Sequence, residues 1–279
     1  VATSPTSDQL LVIIDPVARQ TDGESVRIAK DVLSAGAAAK LCLPEGPEEF
    51  ARALRRRGSR RPVVVGDDRA LVRAVTLLHQ ERELAGCALS VVPVGDSALA
   101  ESLGVPGGTV AAARAVLDGA ERRLDLLVDD SDGVVLGALG IPPAPVRPAA
   151  AEPVPVAAGR PWYRSLVRTL ATRPVRLSAV PSPGATRLRV EVDGETVVDL
   201  DQPVQAVSVT PGPDGVASVE VRPLSVGAEA TPLLASGRTV TVTGEAFRYR
   251  ADAAVTGPVR RRTWRVAEGA WGLTLPADA

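Results

Sequence analysis

Residues 10 to 15, LLVIID, form an apolar run closed by Asp15 and Pro16, and the stretch after it changes period. In TDGESVRIAKDVLSAGA the apolar positions Val26, Ile28, Ala29, Val32 and Leu33 recur at helical spacing, with Gly36 near the end. The pair reads as a buried strand followed by an amphipathic helix. The alternation then repeats: AKLCLP precedes PEEFARALRRRG, PVVVG precedes DRALVRAVTLLHQERELAG, and ALSVVPVG precedes a helical stretch to about Leu103. A further helix is expected near residues 109 to 118, and LDLLVD closes the series. Short apolar strands alternating with helices predict a mostly parallel sheet covered on both faces. Sheets of that kind bind ligands beyond the carboxyl ends of their strands. Asp15, Pro16, the 66–69 turn and the 95–98 turn are therefore expected along one edge.

From about residue 140 the pattern breaks into IPPAPVRPAAAEPVPVAAGRP. Its prolines cannot join ladders or helix interiors, so an extended linker or covering loop is expected. After a short helix-like WYRSLVRTLA, the segments RLRVEVDGETVVDL, QAVSVTPGPDGVASVEVRPL, RTVTVTGEAFRYRA and RRRTWRVAEGAWGLTL alternate with period two around DG and PDG turns. That is the signature of antiparallel strands. The fold class expected is α/β plus β: an N-terminal Rossmann-like parallel domain over residues 1–139, a Pro/Ala linker over 140–160, and an antiparallel β-sandwich over 161–279.

Composition narrows the function classes. Thirty-two basic residues against thirty-three acidic give a net charge of −1, which argues against nucleic acid as a partner. The core is aliphatic, with three Trp, two Tyr and two Phe in 279 residues. Cys42 and Cys87 each sit in an apolar run and read as reduced, buried thiols. No apolar run reaches the roughly 18 residues a membrane helix needs, so a soluble, cytoplasmic protein is expected.

Candidate chemistry concentrates in two turns. In VVVGDDRAL, the adjacent carboxylates Asp67 and Asp68 suit a hard cation such as Mg²⁺. The competing reading is a strand-to-helix turn in which Asp68 caps the helix starting near Arg69. GDS at 95–97 offers Ser97 as a nucleophile, but the only histidine, His79, is expected turns away along the following helix. The basic runs RRRGSRR at 55–61 and RRR at 260–262 would suit lipid headgroups or simply a solvated surface.

In order along the chain, LLVIIDPVARQ, VVVGDDRALVRAV, VVPVGDSALAESLGVP, RRLDLLV, RVEVDGE and RYRADAAVTGPVRRRTWRV resemble the bacterial diacylglycerol kinase family, related to NAD kinase and sphingosine kinase. The resemblance implies an α/β nucleotide-binding domain, a β-sandwich, and Mg-ATP-dependent phosphorylation of a lipid hydroxyl. It places nucleotide contacts at Asp15, Gly66, Asp67, Arg69, Gly95, Asp96 and Ser97, and metal contacts at Asp67 and Asp68. Nucleotide and lipid are the implied partners, with at most peripheral membrane contact and a homodimer as in relatives.

The motifs depart from the family pattern. Its GGDGT loop stands here as Gly66, Asp67, Asp68, Arg69 and Ala70, which keeps one glycine and one aspartate. A phosphate loop needs glycines so that backbone amides can approach a polyanion, and Asp67 brings negative charge instead. The donor-rich turn of the second motif becomes Asp96, Ser97 and Ala98. Ala253 and Ala254 stand where the family's DGE has glycine and its glutamate base, and the loop between QAVSVT and the following DG is shortened. The string Asp193, Gly194, Glu195 reads as an ordinary hairpin turn. Two expectations follow: a lipid-kinase-like pseudokinase acting as a binding or regulatory protein, or an active, divergent lipid kinase. The active reading expects Asp68 and Asp96 to converge on an open cleft facing a replacement carboxylate such as Asp252.

Overall fold

The computed structural model describes residues 9–143, 186–224 and 231–277. The expected linker from 144 onward and the WYRSLVRTLA segment lie outside the described residues.

Four strands form the parallel part. They are β1 (Leu10–Ile14), β2 (Ala39–Cys42), β3 (Arg61–Gly66) and β4 (Ala88–Pro93), in the order β2-β1-β3-β4. Every residue of β1 is buried, as expected for a strand flanked by neighbours on both sides and covered on both faces. Register is continuous: Val12 sits beside Leu41 and Val63, and Val65 beside Val92. The connecting helices are α1 (Pro16–Thr21), α2 (Gly23–Gly36), α3 (Pro47–Arg55), α4 (Asp68–Gln80), α5 (Ala98–Ser102) and α6 (Thr109–Asp118).

Two helix expectations are corrected. The helix expected to begin at Thr21 is preceded by a separate turn of helix, α1, because Asp15 and Asp22 each cap the segment that follows. The helix expected to run from Asp68 to the glycine at 86 stops at Gln80, with Arg82 in the left-handed region at φ 58°.

LDLLVD lies in a longer strand, β5 (Ala120–Asp129), which leaves the parallel series and runs antiparallel to the last strand. The described remainder is antiparallel: β6 (Val134–Val135), β7 (Leu139–Ile141), β8 (Thr186–Val192), β9 (Glu195–Val198), β10 (Pro203–Pro211), β11 (Ala217–Pro223), β12 (Leu233–Gly237), β13 (Thr239–Ala251) and β14 (Ala254–Leu275). Ile141 is thus still in a strand, paired with Val207. The DG dipeptides make tight turns, with Asp193 and Gly194 at φ 50° and 88° and Asp214 and Gly215 at 64° and 72°.

β14 ties the halves together. Its first part pairs with β13, its register shifts between Ala267 and Trp271, and Gly272 and Leu273 then run parallel to Ala88 and Leu89 of β4. Trp264 accordingly packs in the core of the antiparallel strands, edge-on to Tyr249 at 5.2 Å, while Trp271 and Leu273 pack in the core of the helical part. Among the described residues no helix is long and apolar enough to cross a membrane.

Candidate functional site

The carboxyl ends of β1, β3 and β4 bring the expected turns together. Asp15 follows β1, Gly66 to Arg69 follow β3, and Gly95 to Ser97 follow β4. The last two are laced to each other: Val94 donates its N–H to the Gly66 carbonyl and Asp68 donates to the Asp96 carbonyl, both at 2.9 Å.

Gly66 is required by close approach. A β-carbon there would lie 2.8 Å from Ala70 Cβ and 3.0 Å from Asp15 Cβ, and neither neighbour can swing aside. Gly95 is required by backbone conformation, at φ +97°.

The carboxylates of this edge divide into engaged and free. Asp15, buried, accepts from the Val17 N–H at 2.9 Å and pairs with Arg73 at 2.9 Å. Arg73 also lies over the Phe50 ring at 5.6 Å. Asp67, and not Asp68 as expected, is the N-cap of α4, accepting from Ala70 N–H at 3.0 Å. Asp68 reaches the other way. Only 6% exposed, it accepts the Leu99 N–H on one oxygen at 2.8 Å and the Ala100 N–H on the other at 3.0 Å, so it caps α5 from outside. Burial pushes the Asp68 carboxyl above its ordinary range; the two amide donors oppose this, and the charges of Asp96 and Asp67 reinforce it. Ser97 donates to Glu101 at 2.8 Å. Asp96 and Arg69 are exposed, and their side chains have no partner among the described residues.

Asp252 lies at the β13–β14 hairpin turn, at φ 47°. Its carboxylate accepts three backbone N–H groups, from Leu136 and Gly137 at 2.8 Å and Ala138 at 3.0 Å. Burial again raises its carboxyl, against the pull of those three donors. Ala254, the position the resemblance gives to the base, is exposed on the same hairpin.

Leu99 joins these two carboxylates. Its N–H goes to Asp68, and its Cδ1 lies 2.5 Å from where a β-carbon on Gly137 would stand; Asp252 Oδ1 lies 3.3 Å from that same point. Neither Leu99 nor Gly137 was among the expected site residues, nor was Arg73. Leu99 and Gly137 carry no chemical signal in the sequence, and Arg73 is one of many helical arginines. The second DGE string behaves as a turn whose Asp193 carboxylate accepts from Arg238 and Thr239 N–H. His79 lies in the last turn of α4 and meets Asp132 at 3.0 Å, while the Ser97 hydroxyl bonds to Glu101. Among the described residues no three His, Cys, Asp or Glu side chains converge as a metal set.

No family model matches this chain, and no curated protein does. Solved structures match it closely in shape. The likeness is to diacylglycerol kinases. A diacylglycerol kinase of Bacillus anthracis str. Sterne superposes with a TM-score of 0.69 at 13% identity, covering 98% of both chains. A structure provisionally assigned as a diacylglycerol kinase of the same organism gives 0.70 at 14%, over the same share of each chain. At this identity the likeness establishes the fold alone: the chain has a diacylglycerol-kinase-like fold, mixed α/β and rich in strands. Within it, the turns after β3 and β4 are held by self-contained carboxylate-to-amide bonds.

Proposed function

We propose that this chain is a lipid-kinase-like protein whose phosphoryl-transfer site has been rebuilt as a structural joint, and that it acts as a binding or regulatory protein. One observation carries the reading. Each oxygen of Asp68 and of Asp252 already accepts a backbone N–H. Phosphoryl transfer is almost entirely a matter of positioning and charge stabilisation, so its acids must be free to hold Mg²⁺ or to accept a proton. Asp68 and Asp252 are committed to fixing α5 and the 136–138 turn, which leaves each only part of its acceptor capacity, and the side chains of Ala253 and Ala254 offer no proton acceptor. The acids around Asp68 also oppose a polyanion unless a cation intervenes.

The second reading, an active and divergent ATP-dependent lipid kinase, is favoured by Asp96 and Arg69. Both are exposed on the sheet edge and unpartnered among the described residues. Mg-ATP would be its cofactor, with Asp96 toward the metal and Arg69 toward phosphate.

Thermal unfolding with ATP, with and without Mg²⁺, separates the two. A ligand at 100 times its Kd stabilises by about 2.7 kcal/mol. The joint reading expects no shift at millimolar Mg-ATP and no phosphate transfer to diacylglycerol. A metal-dependent shift that disappears in D96N, together with phosphate transfer to diacylglycerol, would establish the active reading instead.

A further inference from the structure

The C-terminal end of α3 and the loop behind it hold two kinds of arginine. Arg55 donates to Glu81 at 2.6 Å and Arg57 to Glu83, ion pairs that fasten α3 to the end of α4. Arg52 and Arg56 are exposed and have no acidic partner among the described residues. They stand four positions apart, so their charges face each other on one side of the helix and repel. Lys40 on β2 is a third exposed cation without a partner among the described residues.

All three line one cavity of about 280 Å³. Its apolar surface comes from exposed Leu43 and half-buried Ala53, over buried Leu11 and Pro44, and Cys42 opens into it. The acid on its wall, Glu49, is held by the Glu45 N–H at 2.9 Å. The cavity lies against β2, the last strand on its side of the sheet, so β1 separates it from the Gly66–Asp68 turn.

Complementing the dipole of α3 needs cations in its last turn, which Arg52 and Arg55 supply. Guarding the sheet edge needs a charge on β2, which Lys40 supplies. Neither need places a further guanidinium, that of Arg56 beyond the last turn, in the same cavity as Arg52 and Lys40.

We propose that this slot binds a small phosphate-bearing molecule with a short apolar substituent. The guanidinium forks of Arg52 and Arg56 suit a doubly charged phosphate, and Lys40 adds a point charge. The Leu43 and Ala53 surface takes the substituent. The volume lies just below the usual range of ligand pockets, which begins at about 300 Å³, so the ligand must be small. The inference is independent of the kinase reading.

Cys42 supplies the readout. It is half-buried in the slot, whereas Cys87 is buried and its thiol is pushed up by that burial, so Cys87 serves as a slow internal control. The intact protein is alkylated at fixed ionic strength with phenyl phosphate, inorganic phosphate or chloride present, and Cys42 modification is followed by mass spectrometry. Phenyl phosphate at millimolar concentration should slow Cys42 several-fold, inorganic phosphate less, and chloride not at all. R52Q and R56Q should each raise the half-protecting concentration about tenfold, the loss expected for one charged hydrogen bond. Absence of protection, or equal protection in folded R52Q and R56Q, overturns the proposal.

Discussion

Asp68 and Leu99 are 31 positions apart in sequence, yet the Asp68 carboxylate accepts the Leu99 backbone N–H at 2.8 Å. With the bond to Ala100 this makes a residue of the β3–α4 turn the cap of another helix, α5. D68A should therefore cost about 1–3 kcal/mol, since two amides lose a charged acceptor in a buried place. D68N, which keeps one acceptor oxygen, should cost less. Urea denaturation of both variants checks the order.

Leu99 also meets the antiparallel part through Gly137. G137A places a methyl 2.5 Å from Leu99 Cδ1, and should destabilise by about 1–3 kcal/mol. Truncating Leu99 opens the space that methyl needs. In a double-mutant cycle, L99A with G137A should cost less than the sum of the two, by about 0.5 kcal/mol or more. Strict additivity would mean that α5 and the 136–138 turn do not bear on each other.

Gly66 and Gly95 differ in why they are glycine, and substitution should reveal it. G66A brings its methyl against the β-carbons of Ala70 and Asp15, so it should cost about 1–3 kcal/mol and any larger side chain more. G95A meets no close neighbour but must sit at φ +97°, and G95N should recover part of that loss. Thermal melts of the three variants are sufficient.

Buried Asp68 and half-buried Asp252 give a pH dependence with a definite sign. Asp68 and Asp252 are both held above the ordinary carboxyl value of about 3.9, so the native state keeps protons that the unfolded chain releases. Stability contributed through these groups falls as pH rises from that value through their folded pKa values. D252N should flatten this fall in melts taken from about pH 4 upward. Asp129 has the opposite sign. Burial would raise it, but the Gly133 and Ser131 donors and the charge of Arg262 together hold it below the ordinary value. Its contribution is lost only as pH drops below about 3.9, so D129N should change the acid side of the profile alone.

Much of this protein was settled by local sequence. The buried run LLVII, the prolines and aspartates after the strands, and the period-two segments around DG turns fixed where strands, helices and hairpins form, because those choices depend on neighbours a few residues away. The motif order along the chain also led to the diacylglycerol-kinase-like fold. The tertiary structure decided where each carboxylate points. Asp67 and Asp68 are adjacent and chemically identical, yet one caps its own helix and the other reaches α5, because only the spacing of β3 and β4 brings Leu99 within reach. The same is true of β14, whose last residues join β4 rather than ending with the antiparallel strands. A hydrogen bond or strand pair between distant segments is set by packing geometry, and local pattern does not encode it.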